Sequence, residues 1–418
     1  MSYVELHCHS TFSFLDGASH PIELAGAAAE QGHSALALTD HDGIYGAMEL
    51  AQAAKPLGIR PLTGAEVTLD DGHHLTLLCE SAAGYRNLCL LITEAHRGTR
   101  EWSPSGTPKP ATAPRVALEH VERHAGGLVC LSGCAREGAV GGRVGRGDFA
   151  GAAAQARRLL NAFGQDNFRI ELQRPFAKGD RRRNRHLAQL AERLDVPTVA
   201  TGNVHAHSKD RVPLQDAFVA VRLHTTLDES EPARRGNSSH VLAPPGAMAE
   251  RFHDHPEAVH ESGRIADRLR FDLTSDLGYQ YPGAEDGSAD RNLAEICRAK
   301  IADRYAGRST SAKAEARLEE ELKLIRTLGL SGFFLLHRDL LELAREVAVE
   351  VRGPGSARAV LPPGRGRGSS VSSIVCFLTG LSHIDPVEND LFLGRFLNEE
   401  LSALPDIDLD FPRDIREV

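Results

Sequence analysis

The sequence has 418 residues, 41% hydrophobic and 25% charged, a composition that excludes collagen-like and disordered classes and supplies apolar material for more than one core. There is no run of about 20 apolar residues, and Met1-Ser2-Tyr3-Val4-Glu5 lacks the basic and apolar parts of a signal peptide, so a cytoplasmic protein with no membrane partner is expected. The formal charge of −9 confines any nucleic-acid contact to local patches.

Along the first half, a short apolar run, a polar residue at its end and a helical stretch recur. Strands are expected at 3–6, 35–39, 61–67, 75–79, 128–132, 168–172 and 198–201. Helices are expected at 22–30, 47–57, 149–163 and 183–194, the first entered through a Ser19 cap and Pro21. Alternating strands and helices imply an α/β fold with a parallel sheet, and seven strands favour a closed barrel. Segments 101–114 and 230–245 read as loops. Longer helices follow at 293–305, 312–328 and 333–349, and the block 364–411 holds a Gly/Arg-rich loop, an apolar helix and an acidic strand. The seven scattered cysteines do not make a disulfide framework. Of the 20 histidines only His337 and His383 lie beyond His260, which divides the chain into two chemically different halves.

In the first half, His7 and His9 sit two apart just past a strand, so an extended backbone directs both imidazoles to one side. Asp16, the pair Asp40-His41, Glu66, Cys134 and His205 with His207 fall at the ends of other strands, which meet on one face of a barrel. Imidazoles, carboxylates and a thiol together suit Zn2+, Mn2+ or Fe. Such ions can hold a phosphate and activate water, the chemistry of a phosphoesterase.

His7-Cys8-His9-Ser10, Phe14-Leu15-Asp16-Gly17-Ala18-Ser19-His20-Pro21, Ala37-Leu38-Thr39-Asp40-His41-Asp42-Gly43 and Gly64-Ala65-Glu66 resemble the PHP (polymerase and histidinol phosphatase) domain, specifically that of bacterial DNA polymerase III alpha subunits. The resemblance implies a (βα)7 barrel and a trinuclear metal site on His7, His9, Asp16, His41, Glu66, His74, Cys134, Asn203 and His205. His74 begins its strand and is not selected by strand ends alone. Asn203 stands where the family has an aspartate, which should weaken one metal position.

In the second half, Gly364-Arg365-Gly366-Arg367-Gly368-Ser369-Ser370 precedes an apolar helix expected at 371–378. Glycines let amides approach phosphate, a helix N-terminus favours an anion, and arginines add forked donors. Pro405-Asp406-Ile407-Asp408-Leu409-Asp410-Phe411 alternates, so a strand would place the three aspartates on one side about 6.6–7 Å apart. Paired carboxylates holding Mg2+ are the arrangement of two-metal nucleotidyl transfer. This block, with Ile384-Asp385-Pro386 and Arg395-Phe396-Leu397-Asn398, is also similar to the polymerase III alpha family, and the phrase from Phe12 to Pro21 is closer to its error-prone branch. The resemblance implies an α+β palm of the nucleotidyltransferase type. It assigns Asp406 and Asp408 to catalytic metals, Arg367, Gly368 and Ser369 to the triphosphate, Arg395 to the incoming nucleotide, and a supporting role to Asp410.

The expected organisation is thus a PHP domain over residues 1–270 and a partial palm over 271–418. The expected function is the N-terminal part of a DNA-directed DNA polymerase, replicative or damage-tolerant. Its partners would be primer-template DNA, dNTPs, a sliding clamp and other replisome or mutasome subunits. Because the family palm needs a further carboxylate downstream, the chain is expected to be a fragment, a truncation or half of a split polymerase, incomplete for polymerisation alone. Two alternatives stand beside it: a free-standing PHP phosphoesterase or 3′–5′ exonuclease, and a non-catalytic module stabilised by metal. A basic patch for DNA is expected from Arg358, Arg365, Arg367 and Arg395, and a second from Arg181, Arg182, Arg183 and Arg185.

Overall fold

The computed structural model describes residues 3–100, 109, 111–278, 281–283, 287–357, 366–398 and 405–411. Most of the loop expected at 101–114, together with Arg358, Gly364 and Arg365, lies outside the described residues. The chain folds as two compact units, Met1–Leu277 and Gly278–Val418.

In the first unit, β1 (Ala35–Leu38), β2 (Arg60–Thr68), β3 (His74–Cys79), β4 (Leu128–Leu131), β5 (Phe168–Gln173) and β6 (Thr198–Thr201) form one sheet in that order. Around it run α1 (Pro21–Glu30), α2 (Ala47–Ala54), α3 (Ala82–His96), α4 (Leu118–Arg123), α5 (Gly141–Gly145), α6 (Phe149–Phe163), α7 (Asp180–Leu194), α8 (Val212–Arg222), α9 (Pro245–Arg251) and α10 (Pro256–Arg268). Strands β4, β5 and β6 are buried along their whole length. Leu75, Leu77, Cys130, Ile170 and Leu172 lie in one core, each apolar side chain contributing about 1.5–3 kcal/mol on leaving water. Helix α6 shows the local logic. Asp148 caps it by accepting from the Gly151 amide at 2.9 Å, and Ala152, Ala156, Leu159 and Phe163 recur on one buried face.

Three sequence expectations need correction. The sheet is not wholly parallel: β3 runs antiparallel to both β2 and β4, while the other pairings are parallel. The cause is the connection between β2 and β3, a tight turn through Asp70, Asp71 and Gly72 with no helix, which reverses the chain. Strand β3 therefore begins at the rim where β2 ends, with His74 opposite Thr68.

The expected first strand at 3–6 is instead a segment held by single parallel bridges, Glu5 to Leu36 of β1 and Cys8 to Val204 just after β6. It thus spans the gap between the two edge strands of the sheet. A full ladder does not form because side chains take its amides. Val4, His7, Cys8 and Ser10 donate to Ser262 Oγ, Glu5 Oε1, Thr39 Oγ1 and Asp40 Oδ1. Ser19 likewise does not cap α1. His20 occupies that position, its amide donating to the Glu23 carboxylate at 2.9 Å, and the Ser19 hydroxyl instead accepts from the His207 amide.

The second unit holds α11 (Ser288–Tyr305), α12 (Ser311–Thr327), α13 (Ser331–Arg352), β7 (Gly366–Arg367), α14 (Ile374–Thr379) and β8 (Asp408–Leu409). Helices α11, α12 and α13 surround α14, burying Leu293, Cys297, Ile325, Phe334 and Ile374 in a core of their own. Strands β7 and β8 pair antiparallel.

Candidate metal centre and nucleotide-binding residues

The strand ends of the first unit converge on a cavity of about 300 Å³ lined by His9, Asp16, His41, Glu66, His74, Cys134, Asn203 and His205 among others. His7 lies just beneath it, its Nε2 2.7 Å from Glu66 Oε2 and its Nδ1 2.6 Å from Glu171 Oε1. All nine residues singled out as metal ligands are therefore brought together. Within them, three sets have donor atoms close enough to share an ion: His9, His41 and His205; His7, His9 and Glu66; and His41, Glu66 and His74. Glu66, fully buried on β2, is the hub, reaching His7, His41 at 2.9 Å and His74. His74 takes part because β3 is inverted. Cys134 follows Gly133, whose φ of 89° lets the backbone run against the His74 carbonyl where a Cβ would sit 2.2 Å away. Asn203 has φ of 50°, a left-handed conformation that Asn and Asp tolerate better than most residues.

Asp40 and His207 do not join the donors. The Asp40 carboxylate accepts from the Ser10 amide at 2.6 Å and from the Ser10 and Ser13 hydroxyls at 2.8 and 2.7 Å, fixing the loop after His9. His207 Nδ1 lies 2.8 Å from Ser19 Oγ.

The electrostatics divide the histidines. Burial disfavours imidazolium at His7 and His41. Carboxylates outweigh it, Glu171 and Glu66 at His7 and Glu66 and Asp16 at His41, and hold both up at about 10. Burial and the neighbouring His205 and His41 push His9 well below the usual imidazole range. Burial and the Arg235 charge push His205 down to about 4. His9 and His205 are thus neutral, and the Arg235 guanidinium lies on His205 Nε2. Burial and the Glu66 charge push the Cys134 thiol up to about 12, so a thiolate there requires a cation.

A metal fits these residues on an observation independent of family. His9 Nε2 and Asn203 Oδ1 are buried with no hydrogen-bond partner among the described residues, and both belong to residues lining the cavity. Nitrogen, oxygen and sulfur donors together match a transition metal.

Three residues of the centre escaped the sequence reading. Glu171, in the middle of fully buried β5, accepts from Gln173 Nε2 at 2.8 Å and from Thr201 Oγ1, and it orients His7. The signal was a carboxylate inside a strand buried on both faces. Arg235 donates to Asp16 Oδ2 at 2.9 Å and also reaches His205 Nε2, and Arg222 lies 3.1 Å from Asp16 Oδ1. Burial alone would raise the Asp16 carboxyl, but Arg235 and His205 hold it well below the usual carboxylate range.

In the second unit, the ladder Gly366–Leu409 and Arg367–Asp408 joins the Gly/Arg loop to the acidic strand, two segments about 40 residues apart that sequence reasoning tied together only by chemistry. Arg367 Nε lies 3.1 Å from Asp410 Oδ2. Asp406, Asp408 and Asp410 are exposed while Ile407 is buried between them, the alternation the sequence implied. Gly368 and Ser369 open a 3₁₀ turn, Gly368–Ser372, packed against the turn Leu393–Arg395 that carries exposed Arg395.

The expected helix at 371–378 begins at Ile374, capped by Ser373 Oγ accepting from the Cys376 amide at 2.9 Å. The amides of Ile374 and Val375 are taken by the buried Glu321 carboxylate at 3.0 and 3.3 Å. The leading amides of that helix are therefore taken by the protein's own carboxyl group, and a phosphate held by the loop would rely on the turn and on Arg367.

Residues 5–175 match the family model "PHP domain", and residues 291–418 match "Bacterial DNA polymerase III alpha NTPase domain". Error-prone DNA polymerases are similar over nearly the whole chain: that of Symbiobacterium thermophilum is 37% identical over 98% of this chain and 37% of its own length. That of Pseudomonas syringae pv. syringae is 35% identical over 99% and 37%. The chain thus spans a little over a third of the length of these relatives. Among solved structures, an amidohydrolase from Chromobacterium violaceum is 21% identical with a TM-score of 0.36, over 50% of this chain and 89% of that one, a likeness too slight to carry an argument. With both family models matched and 34–37% identity over nearly the whole of this chain, the chain belongs to the bacterial DNA polymerase III alpha family and carries a PHP domain.

Proposed function

We propose that this chain serves a DNA-directed DNA polymerase of the error-prone type, supplying the PHP domain and the part of the palm that holds the incoming nucleotide. The observation that carries this reading is the β7–β8 ladder, which sets exposed Asp406 and Asp408 beside Arg367 and the Gly368–Ser369 turn. In this reading Asp406 and Asp408 hold Mg2+, which supplies charge neutralisation and activation of the attacking hydroxyl when bound. Arg367 and the amides of Gly368 and Ser369 hold the triphosphate, and Arg395 orients the nucleotide. Substrates would be primer-template DNA and dNTPs, and the setting the cytoplasm. No helix among the described residues is long and apolar enough to cross a membrane.

For the PHP centre we propose Zn2+, Mn2+ or Fe held by the nine residues, in a stabilising rather than hydrolytic role. Arg235 on Asp16 and His205, together with the neutral amide of Asn203, favours that role, because both weaken the part of the site an attacking water would need. Calorimetry is expected to show Mg2+-dependent binding of a non-hydrolysable dNTP analogue that Asp406→Asn and Asp408→Asn each weaken, with no primer extension by the chain alone, and undiminished binding by both variants would refute the assignment. No single-strand cleavage with Mn2+ is expected, and cleavage lost in His9→Ala would restore the exonuclease reading.

A further inference from the structure

We infer that the first unit carries a second ligand site, a pocket for a nucleotide, on the side of the β5–α7 connection. The cavity there has a volume of about 710 Å³ and shares no lining residue with the metal centre. A volume of that order accommodates a small ligand. Its distinguishing side chain is Phe176, which is 64% exposed with a φ of 57°, a left-handed conformation that a bulky residue rarely adopts. The Arg251 guanidinium lies 5.1 Å from its ring centroid, so the aromatic surface is already flanked by a cation.

The charges around the ring are unbalanced. Two of the acids are satisfied from within: Asp180 by Arg183 at 2.9 Å, and Asp254 by both terminal nitrogens of Arg174 at 2.8 Å. That leaves the guanidiniums of Arg181, Arg182 and Arg251 facing the cavity against the single carboxylate of Glu250. Arg181 and Arg182 were expected in a second basic patch for DNA. They stand exposed in the first turn of α7, where the helix dipole adds to their charge. Arg174, with its side chain only 5% exposed, also lines the cavity, and its Nε is buried without a partner among the described residues.

An exposed aromatic ring beside unpaired guanidiniums is the pairing that stacks a base and holds its phosphate. An acidic peptide would use the arginines but leave the ring without a role. The ligand is therefore a nucleotide, either free or as one unit of a single strand.

The test uses the whole chain in EDTA, so that phosphate binding by metal is absent. Fluorescence anisotropy follows a labelled oligo-dT strand, and calorimetry follows dTMP. The expected result is saturable binding that Phe176→Ala weakens about tenfold. Arg181→Ala with Arg182→Ala should lower the slope of log affinity against log salt by about 1.4, two contacts at about 0.7 each. Binding of the strand but not of dTMP assigns the site to single strands, and comparable binding of both assigns it to free nucleotide. Because all three substituted side chains project from the surface, unchanged thermal melting is expected and is measured beside binding. Strand binding that neither variant alters, or equal competition by poly-glutamate in the wild type, would overturn the proposal.

Discussion

Replacing Arg235 with alanine should make the PHP centre bind metal more tightly while making the metal-free protein less stable. The guanidinium donates to Asp16 Oδ2 at 2.9 Å and sits against His205 Nε2, with side chains only 16% exposed at Arg235 and 6% at Asp16. A metal that uses Asp16 and His205 must first displace it. Hydrogen bonds to charged groups contribute about 1.5–3 kcal/mol net, and Arg222 remains beside Asp16 in the variant, so about 2 kcal/mol is the appropriate figure. Returned to binding, that is roughly a 30-fold gain in Zn2+ affinity. Taken from the metal-free fold, it is a comparable loss in unfolding free energy. Competition against a chromophoric chelator measures the first quantity and urea denaturation in EDTA the second. Zinc affinity unchanged or reduced in Arg235→Ala would refute the displacement argument, whatever happened to stability.

Glu171→Gln should cost about 10–100-fold in metal affinity although Glu171 is not among the nine ligands, because it orients His7 through the 2.6 Å contact to Nδ1. Equal metal content after dialysis of both proteins against a weak chelator would contradict that. At Glu321, burial pushes the carboxyl from 4.5 up to about 7. A folded-state value above the unfolded one means that the stabilisation is whole below about pH 4.5 and lost as pH rises through about 7, by up to ~3 kcal/mol. The urea midpoint of the wild type should therefore fall relative to Glu321→Gln between about pH 5 and about pH 8, and parallel profiles would refute the shift. Phe334→Ala, removing a side chain fully buried between α13 and its neighbours, should cost about 3–5 kcal/mol in the second unit. A loss below about 1 kcal/mol would mean that this core is not the one described.

Much of the centre was legible because many imidazoles and carboxylates fall at strand ends that a barrel brings to one face. His7, His9, Asp16, His41, Glu66, Cys134 and His205 were picked by that rule, which also picked Asp40 and His207, two residues that bond within the loops instead. His74 did not, although the Asp71-Gly72 pair between two apolar runs is a hairpin signal, and a hairpin inverts its second strand. Glu171 and Arg235 were not legible, since their roles depend on contacts 164 positions away at His7 and 219 away at Asp16. The helix boundaries were close wherever one apolar face repeats, as in α6. The start of α14 was missed because the cap at Ser373 and the anion from Glu321 belong to different parts of the chain. The pairing of Gly366–Arg367 with Asp408–Leu409 lies between these cases: alternation fixed the face of the aspartates, and only the fold placed the glycine loop beside them.

The most direct test of the PHP centre is the metal content of the chain purified without added chelator, by inductively coupled plasma mass spectrometry. The arrangement of His7, His9, Asp16, His41, Glu66, His74, Cys134, Asn203 and His205 predicts more than one equivalent of zinc, manganese or iron per chain, falling to well below one in Glu66→Gln. A wild-type protein that is folded, monodisperse and free of transition metal after growth in supplemented medium would contradict it.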